Sequence, residues 1–332
     1  MGKISTTDRI IIKGFNIVRK LHNSLCTPYQ LQKPVASNDP TYANQKIREL
    51  LQTDAPCMIG RFGSNEIEST VFYRNRRYYK RDLLNYARGI SDIWWYPDSI
   101  VNKMHYNAGF FTPTIEQLDK FGEEMMRAMP LIDVLGSWVK EESYFIKELS
   151  NACFVNLELL NPLWGSDSEP WTTALQGKKV LVVHPFSETI KAQYAKRETI
   201  HKDYRILPKF TLQTIKAIQS ITGMKPEGFR NWFDALHYME SQIDKTDYDI
   251  CIIGCGAYGL LLAAHCKRKG KKAIHMGGAT QLLFGIKGKR WDNPNYGFNG
   301  KSYLSFMTPQ WVRPTANETP KKAFDIEEGC YW

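Results

Sequence analysis

What the sequence lacks closes off several classes of protein. No apolar run approaches the roughly 18–20 residues that cross a bilayer, so no transmembrane helix is expected. No two cysteines form a C-x-x-C pair, and no Cys or His spacing fits a zinc site. The seven cysteines (Cys26, Cys57, Cys153, Cys251, Cys255, Cys266 and Cys330) are odd in number, and several lie in apolar stretches such as "ICIIGC". Buried, reduced thiols of a cytoplasmic protein are expected rather than a disulfide framework. G-x-S-x-G is missing, and "FGSNE" lacks the second glycine, so no Ser-His-Asp hydrolase is signalled. Neither an internal repeat nor a low-complexity tract is visible. The first residues alternate charge with short apolar runs, so no secretory signal is expected. No recognised nucleic-acid motif is seen, and nucleic acid is not expected as a partner.

What is present describes a soluble, globular chain. It has 332 residues, 43% hydrophobic and 23% charged, enough to bury a sizeable core. The formal charge of +10 points to anionic partners, either a phosphorylated small substrate or an anionic membrane surface. The expected location is cytoplasmic, with a peripheral place at the inner membrane face as an option. The densest basic run is "RNRRYYKR", Arg74 to Arg81, which reads as a solvated helix face or as an anion-facing surface.

Hydrophobic periodicity gives the element order. Residues 7–24 place Ile10, Ile11, Phe15, Ile17, Val18 and Leu21 near a helical period, as an amphipathic helix bent or broken near Gly14. Core packing is the ordinary explanation of such a face, and membrane-surface docking is the other. A proline-bearing loop leads to a short helix "QKIRELLQT", a strand "PCMIGRFG" and a helix from Ser64 to Ala87, with Ser64 as its N-cap. "LIDVLGSW" is expected as a strand and "EESYFIKELSNAC" as a helix. "KKVLVVHPF" is a buried strand, followed by a helix opened by Ser187, a short strand "YRILPKF", a helix "DALHYMESQI", and then strand, turn, helix and strand from Asp249 to Gly278. The expected organisation is a helical N-terminal arm and linker over 1–44, a catalytic domain over 45–290, and an irregular cover and tail over 291–332. The alternation of strands and helices predicts an α/β fold, a Rossmann-like, mostly parallel sheet with helices on both faces.

In such sheets ligands bind beyond the carboxyl ends of the strands. "RFGSNE", "HPFSE", "GCGAYG" and "HMGGATQ" each follow a predicted strand, so these turns should meet along one edge. Gly254, Gly256 and Gly259 spell G-x-G-x-x-G, whose backbone amides and helix dipole can hold a phosphate. A dinucleotide fold adds an acid about 20 residues on for the ribose hydroxyls. No Asp or Glu stands between Asp249 and Asp292. Lys267, Arg268 and Lys269 suit a 2′-phosphate or the helix C-terminus. Three readings stay open: an NADP-type cofactor site, a structural glycine turn, or contact with a phosphate or sugar nucleotide.

Together the turns resemble the GT-D fold glycosyltransferases, nucleotide-sugar-dependent enzymes of surface-polysaccharide synthesis. Their early turn reads like R-F-G-D-G-E, and this chain has Arg61-Phe62-Gly63-Ser64-Asn65-Glu66. Their later strand, small-residue turn, helix and strand correspond to Asp249–Gly278, and the likeness spans roughly residues 50–285. The resemblance implies a nucleotide-sugar donor, a glycan or lipid-linked acceptor, and an Asp-any-Glu pair holding Mn or Mg. Here Ser64 stands where that Asp would lie, and a hydroxyl is a poorer ligand for a hard cation, which leaves Glu66 as the metal candidate.

Glycosyl transfer needs a stabilised diphosphate and an activated acceptor hydroxyl. Glu66 is the first candidate for the base, against a plain helix-start carboxylate. His184 and Glu188 flank the "HPFSE" turn, with Ser187 as an anion contact or a simple cap. Asp133 is an acid in an apolar strand that either pairs with a base or serves the site. Arg61, Phe62, Gly63, Ser64, Asn65, Ser187, Gly254, Gly256, Tyr258 and Gly259 are donor-binding candidates, joined by His275, Gly277, Gly278, Thr280 and Gln281 for ribose or base. Trp94, Trp95 and Tyr96 either stack on an acceptor sugar or anchor their loop.

Overall fold

The computed structural model describes residues 5–27, 29–165, 168–220, 223–320 and 329–332. Seven strands form its main sheet: β1 Met58–Gly60, β2 Val134–Ser137, β3 Cys153–Asn156, β4 Lys179–His184, β5 Thr211–Lys216, β6 Ile250–Ile253 and β7 Lys272–His275. The helices are α1 Thr6–Leu25, α2 Pro40–Gln52, α3 Ser64–Tyr78, α4 Leu83–Ala87, α5 Asp98–Asn102, α6 Ile115–Ala128, α7 Ser187–Tyr194, α8 Arg197–Ile200, α9 Trp232–Asp244, α10 Gly259–Arg268 and α11 Thr280–Leu283. Every strand pair is parallel, in the order β3-β2-β1-β7-β6-β4-β5. The α/β, Rossmann-like architecture is therefore present.

A period of two along the central strands explains the two cores. Ile59, Val180, Val182, Ile250, Ile252 and Ile274 pack on one face with α2, α7 and α11. Met58, Leu181, Val183, Cys251, Ile253 and Ala273 pack on the other with α3, α6, α9 and α10. Each of the Val, Leu, Ile and Met side chains among them, fully buried, contributes about 1.5–3 kcal/mol. Cys57, Cys251, Cys255 and Cys266 are buried thiols, and burial pushes Cys57 up to about 12. Strand β4 leaves toward α7 on one face, whereas the adjacent β6 leaves toward α10 on the other. Such a switch point opens a crevice at the carboxyl edge.

Several local expectations differ. The helix after β1 does not run to Ala87. It stops at Tyr78, Arg81 takes a left-handed φ of 60°, and the Asp82 carboxylate accepts from Asn85 N at 3.1 Å to start α4. Gly63, not Ser64, is the N-cap of α3. Residues 140–145 form a 3₁₀ turn, and the strand β3 follows them. "YRILPKF" is not a strand, because its apolar residues Ile206, Leu207 and Phe210 fill the core from a loop and β5 begins just after. The described residues from Trp291 on are irregular, but Trp291, Tyr303, Trp311 and Trp332 are buried in the α2–α7 core. It carries one small hairpin, β8 Gly297–Phe298 with β9 Lys301–Ser302.

Helix α1 runs unbroken through Gly14, capped by the Ser5 hydroxyl at 3.0 Å from Asp8 N. Core packing accounts for Ile12 but not for Ile10, Ile17, Val18 and Leu21, which are exposed. Among the described residues no helix is long and apolar enough to cross a membrane.

Candidate functional site

A cavity of about 210 Å³ lies at the carboxyl edge, lined from the ends of β1, β2, β4, β5, β6 and β7. Arg61 and Gly63 to Glu66 follow β1, and Trp138 follows β2. His184 to Phe186 follow β4, Ile218 to Ser220 follow β5, Gly254 to Tyr258 follow β6, and His275, Gly277, Gly278 and Gln281 follow β7. Asn107 to Gly109 complete one side, and Arg290, Tyr331 and Trp332 the other. Ligand cavities usually run to about 300–1,000 Å³. This one is smaller, and Tyr331 and Trp332 form part of its wall.

The first turn is braced from β2. The Arg61 guanidinium lies 5.0 Å over the Trp138 ring, and Trp138 Nε1–H donates to the Phe62 carbonyl at 2.9 Å. Glu142 is fully buried, and its carboxylate accepts from Trp138 N at 3.2 Å and from the Ser137 hydroxyl. Burial pushes the Glu142 carboxyl up, partly offset by those hydrogen bonds and by Arg61. The Arg61 side chain also passes beside Gly277, where a Cβ would stand 3.5 Å from Arg61 Cδ and where the φ of 61° is left-handed. Glu66, in the first turn of α3, folds back over Gly63, where a Cβ would collide with its carboxylate.

The second half of the wall depends on missing side chains. A Cβ on Gly254 would stand 2.6 Å from Thr280 Oγ1 and 2.7 Å from the His184 ring. A Cβ on Gly259 would collide with the His275 ring, so α10 packs closely against β7. Gly256 has a φ of 58°, which turns the chain into that helix. Thr280 Oγ1–H donates to the Ile253 carbonyl at 3.1 Å. Tyr258 stacks on Trp232 at 4.4 Å and meets the Ser220 hydroxyl at 3.1 Å.

Both cavity histidines are neutral. Burial lowers His184 to about 3, and its Nδ1 accepts from Phe186 N at 3.0 Å, so the ring's proton sits on Nε2. Burial, with the charge of Arg61, lowers His275 to about 3, and its Nδ1–H donates to the Ile253 carbonyl at 3.2 Å. His184 therefore does not neutralise phosphate as a cation and is left as a donor.

The cavity's positive charge comes from Arg61 and Arg290. Arg290 sits 4.9 Å over the Tyr331 ring. The half-buried Glu158 lies within the field of both. Burial pushes its carboxyl up, offset by bonds from Tyr303 and Trp164 and then by Arg61 and Arg290.

Of the residues singled out in the sequence, Arg61, Gly63, Ser64, Asn65, Glu66, His184, Gly254, Gly256, Tyr258, His275, Gly277, Gly278 and Gln281 meet in this cavity. Phe62, Gly259 and Thr280 are buried behind its wall. Others lie elsewhere. Asp133 precedes β2 at the amino edge, where its carboxylate accepts from Met58 N at 2.8 Å and pairs with Lys267 at 2.6 Å. Glu188 is exposed and pairs with Lys191 at 2.9 Å. The N-terminus of α7, expected to offer Ser187 to an anion, is filled by Glu318, which accepts from Glu188 N at 2.8 Å and from Thr189. Trp94 and Trp95 pack edge to face beneath α1, and Tyr96 donates to Asp119 at 3.0 Å, so all three anchor their loop. Lys267 and Lys269 pair with Asp133 and Asp244, and Arg268 donates to the Arg127 carbonyl, away from any ribose position.

Trp138, Ser220, Arg290, Tyr331 and Trp332 line the cavity and were not singled out. Trp138 was legible, since it ends a predicted strand; the others come from segments without a strand–turn signature. As a metal centre the donor set fits poorly. Glu66 is the one carboxylate among the described lining residues, and no cluster of three or more His, Cys, Asp or Glu is found among the described residues. Comparisons of the chain with family models, with curated proteins and with solved structures return no match.

Proposed function

We propose that the chain is a glycosyltransferase that moves a sugar from a nucleotide-sugar donor to a glycan or lipid-linked acceptor hydroxyl. One observation carries the reading: among the described residues, two arginines, two glycine turns and one side-chain carboxylate, Glu66, line one cavity at the switch point of the sheet. Arg61 and Arg290 bind the diphosphate, for which guanidinium forks are suited. The amides from Gly256 into α10 add partial positive charge. His184 Nε2–H donates to a diphosphate oxygen. Glu66 takes the proton of the acceptor hydroxyl as its oxygen attacks the anomeric carbon. The anomeric C–O bond to the diphosphate breaks, and the nucleoside diphosphate leaves with the electron pair, held by the arginines. No step is routed through a metal, and the arginines supply the countercharge. The Tyr331–Trp332 wall shifts to admit the rest of the donor.

An NADP-dependent oxidoreductase is the weaker reading, because Lys267, Arg268 and Lys269 are engaged at the other end of the sheet. A non-catalytic nucleotide binder shares the cavity but needs no base. The test is turnover of a panel of UDP-, GDP- and CMP-sugars by wild type and Glu66→Gln, with and without manganese. Release of nucleotide by wild type, lost in a variant that still binds donor, is expected. Binding without turnover in wild type would leave a binding protein, and stabilisation by NADP alone would favour the oxidoreductase.

A further inference from the structure

Helix α1 has two apolar sides, and only one is used. Toward the body it presents Asp8, Ile12 and the half-buried Phe15, with Asp8 paired to Arg81 at 3.0 Å and Tyr86 donating to Asn16. At 100° per residue, Ile10, Gly14, Ile17, Val18, Leu21 and Leu25 fall in one arc roughly opposite that contact. The five large side chains of this arc are 45% to 84% exposed. Scattered exposed apolar residues need no explanation, but a continuous stripe does.

The charge beside the stripe has one sign. Arg9, Lys13 and Lys20 lie along one flank, all exposed, and among the described residues none of them forms an ion pair. The helix holds a single acid, Asp8, which is buried and already paired. The basic run ending in Arg81 is tied to the same helix by the Asp8 pair.

We propose that α1 is an in-plane docking helix for an anionic phospholipid surface, with the Ile10–Leu25 stripe entering the headgroup boundary and Arg9, Lys13 and Lys20 meeting lipid phosphates. A stripe of this kind beside unpaired cations matches interfacial helices. At about 30 Å it can lie flat along the surface. A second copy of the chain would bring an equally basic flank and no free acid on α1 to meet these three cations, so charge complementarity favours the lipid. The inference does not depend on the catalytic reading.

The test is cosedimentation of the full chain with vesicles of phosphatidylcholine alone and of phosphatidylcholine with phosphatidylglycerol. Binding is expected only with phosphatidylglycerol. Ile17→Glu with Leu21→Glu should lower partitioning at least tenfold. Lys13→Gln and Lys20→Gln should each lower it roughly fivefold and weaken its salt dependence. These side chains face away from the body, so an unchanged melting temperature confirms that the variants fold. Absence of binding, equal binding to both vesicle types, or binding indifferent to Ile17 and Leu21 would overturn the proposal. So would a wild-type dimer in solution that Ile17→Glu dissolves.

Discussion

The two edges of one sheet treat charge in opposite ways. At the amino edge Asp133 meets Lys267 and Met58 N, Asp247 meets Lys179, and Asp249 accepts from Lys179 N at 2.8 Å. There the charges close the ends of strands. At the carboxyl edge Arg61 stacks on Trp138 and forms no ion pair with a described carboxylate, in a cavity that it shares with Arg290 and Glu66. Two helix starts repeat the contrast. The first turn of α7 is satisfied by the buried Glu318, while the turn leading into α10 opens on the cavity. Charge paired at the strand ends holds the fold together, whereas Arg61, held by stacking on Trp138, faces the cavity.

The largest expected effect is on turnover. Glu66→Gln removes the proposed base and should lower kcat by about 10²–10⁴-fold while leaving donor affinity within a few-fold. An unchanged kcat would remove Glu66 from the chemistry.

Next come paired substitutions, one at each edge. Arg61→Ala should weaken diphosphate binding by about 10–100-fold in calorimetric titration, as expected for a lost charged hydrogen bond, and leave the melting temperature nearly unchanged. Asp133→Ala should do the reverse. It leaves Met58 N without its acceptor and Lys267 with the Leu131 carbonyl at 2.7 Å in place of its ion pair, costing about 1–3 kcal/mol of stability in urea unfolding with ligand affinity intact. If both variants lost stability equally, the contrast between edges would fail.

A smaller effect concerns pH. Burial holds His184 and His275 at about 3 against an ordinary value of 6.5, so the unfolded chain binds more protons between those limits. Stability is complete above pH 6.5 and falls on acidification by about 1.4 kcal/mol per pH unit for each histidine. Urea unfolding at pH 7 and pH 5 should show this loss, and His184→Gln should show a shallower slope. A flat profile would mean that the rings are hydrated. The smallest expected effect is at Tyr331. Tyr331→Ala removes part of the wall and should change nucleotide affinity by only a few-fold, toward tighter binding if the wall obstructs the donor.

Much of this site was legible because its residues follow buried strands. In β1, β4, β6 and β7 an apolar run ends in a glycine or polar turn, and parallel topology brings those turns together. Asp133 stayed open between pairing with a base and serving the site, because an acid in an apolar strand can pair at either end; the pairing holds, with Lys267 on a distant helix. The aromatic triplet at Trp94 stayed open between two readings because stacking on a sugar and packing under α1 demand the same rings; the anchoring reading holds. Strands β3 and β5 escaped notice because they are edge strands with mixed burial, while the apolar residues ahead of β5 fill the core from a loop. Glu318 was invisible in the sequence, since its partner Thr189 is 129 residues away and capping from another segment leaves no local pattern.

Amide hydrogen exchange with and without a nucleoside diphosphate tests the central claim most directly. UDP, GDP or CDP should slow exchange in the turns Arg61–Glu66, Gly254–Tyr258 and His275–Gly278 together, and Arg61→Ala should abolish that protection at the same ligand concentration. Protection centred on Lys267–Lys269, or none in any of the three turns with every nucleotide, would contradict a diphosphate site at the carboxyl edge.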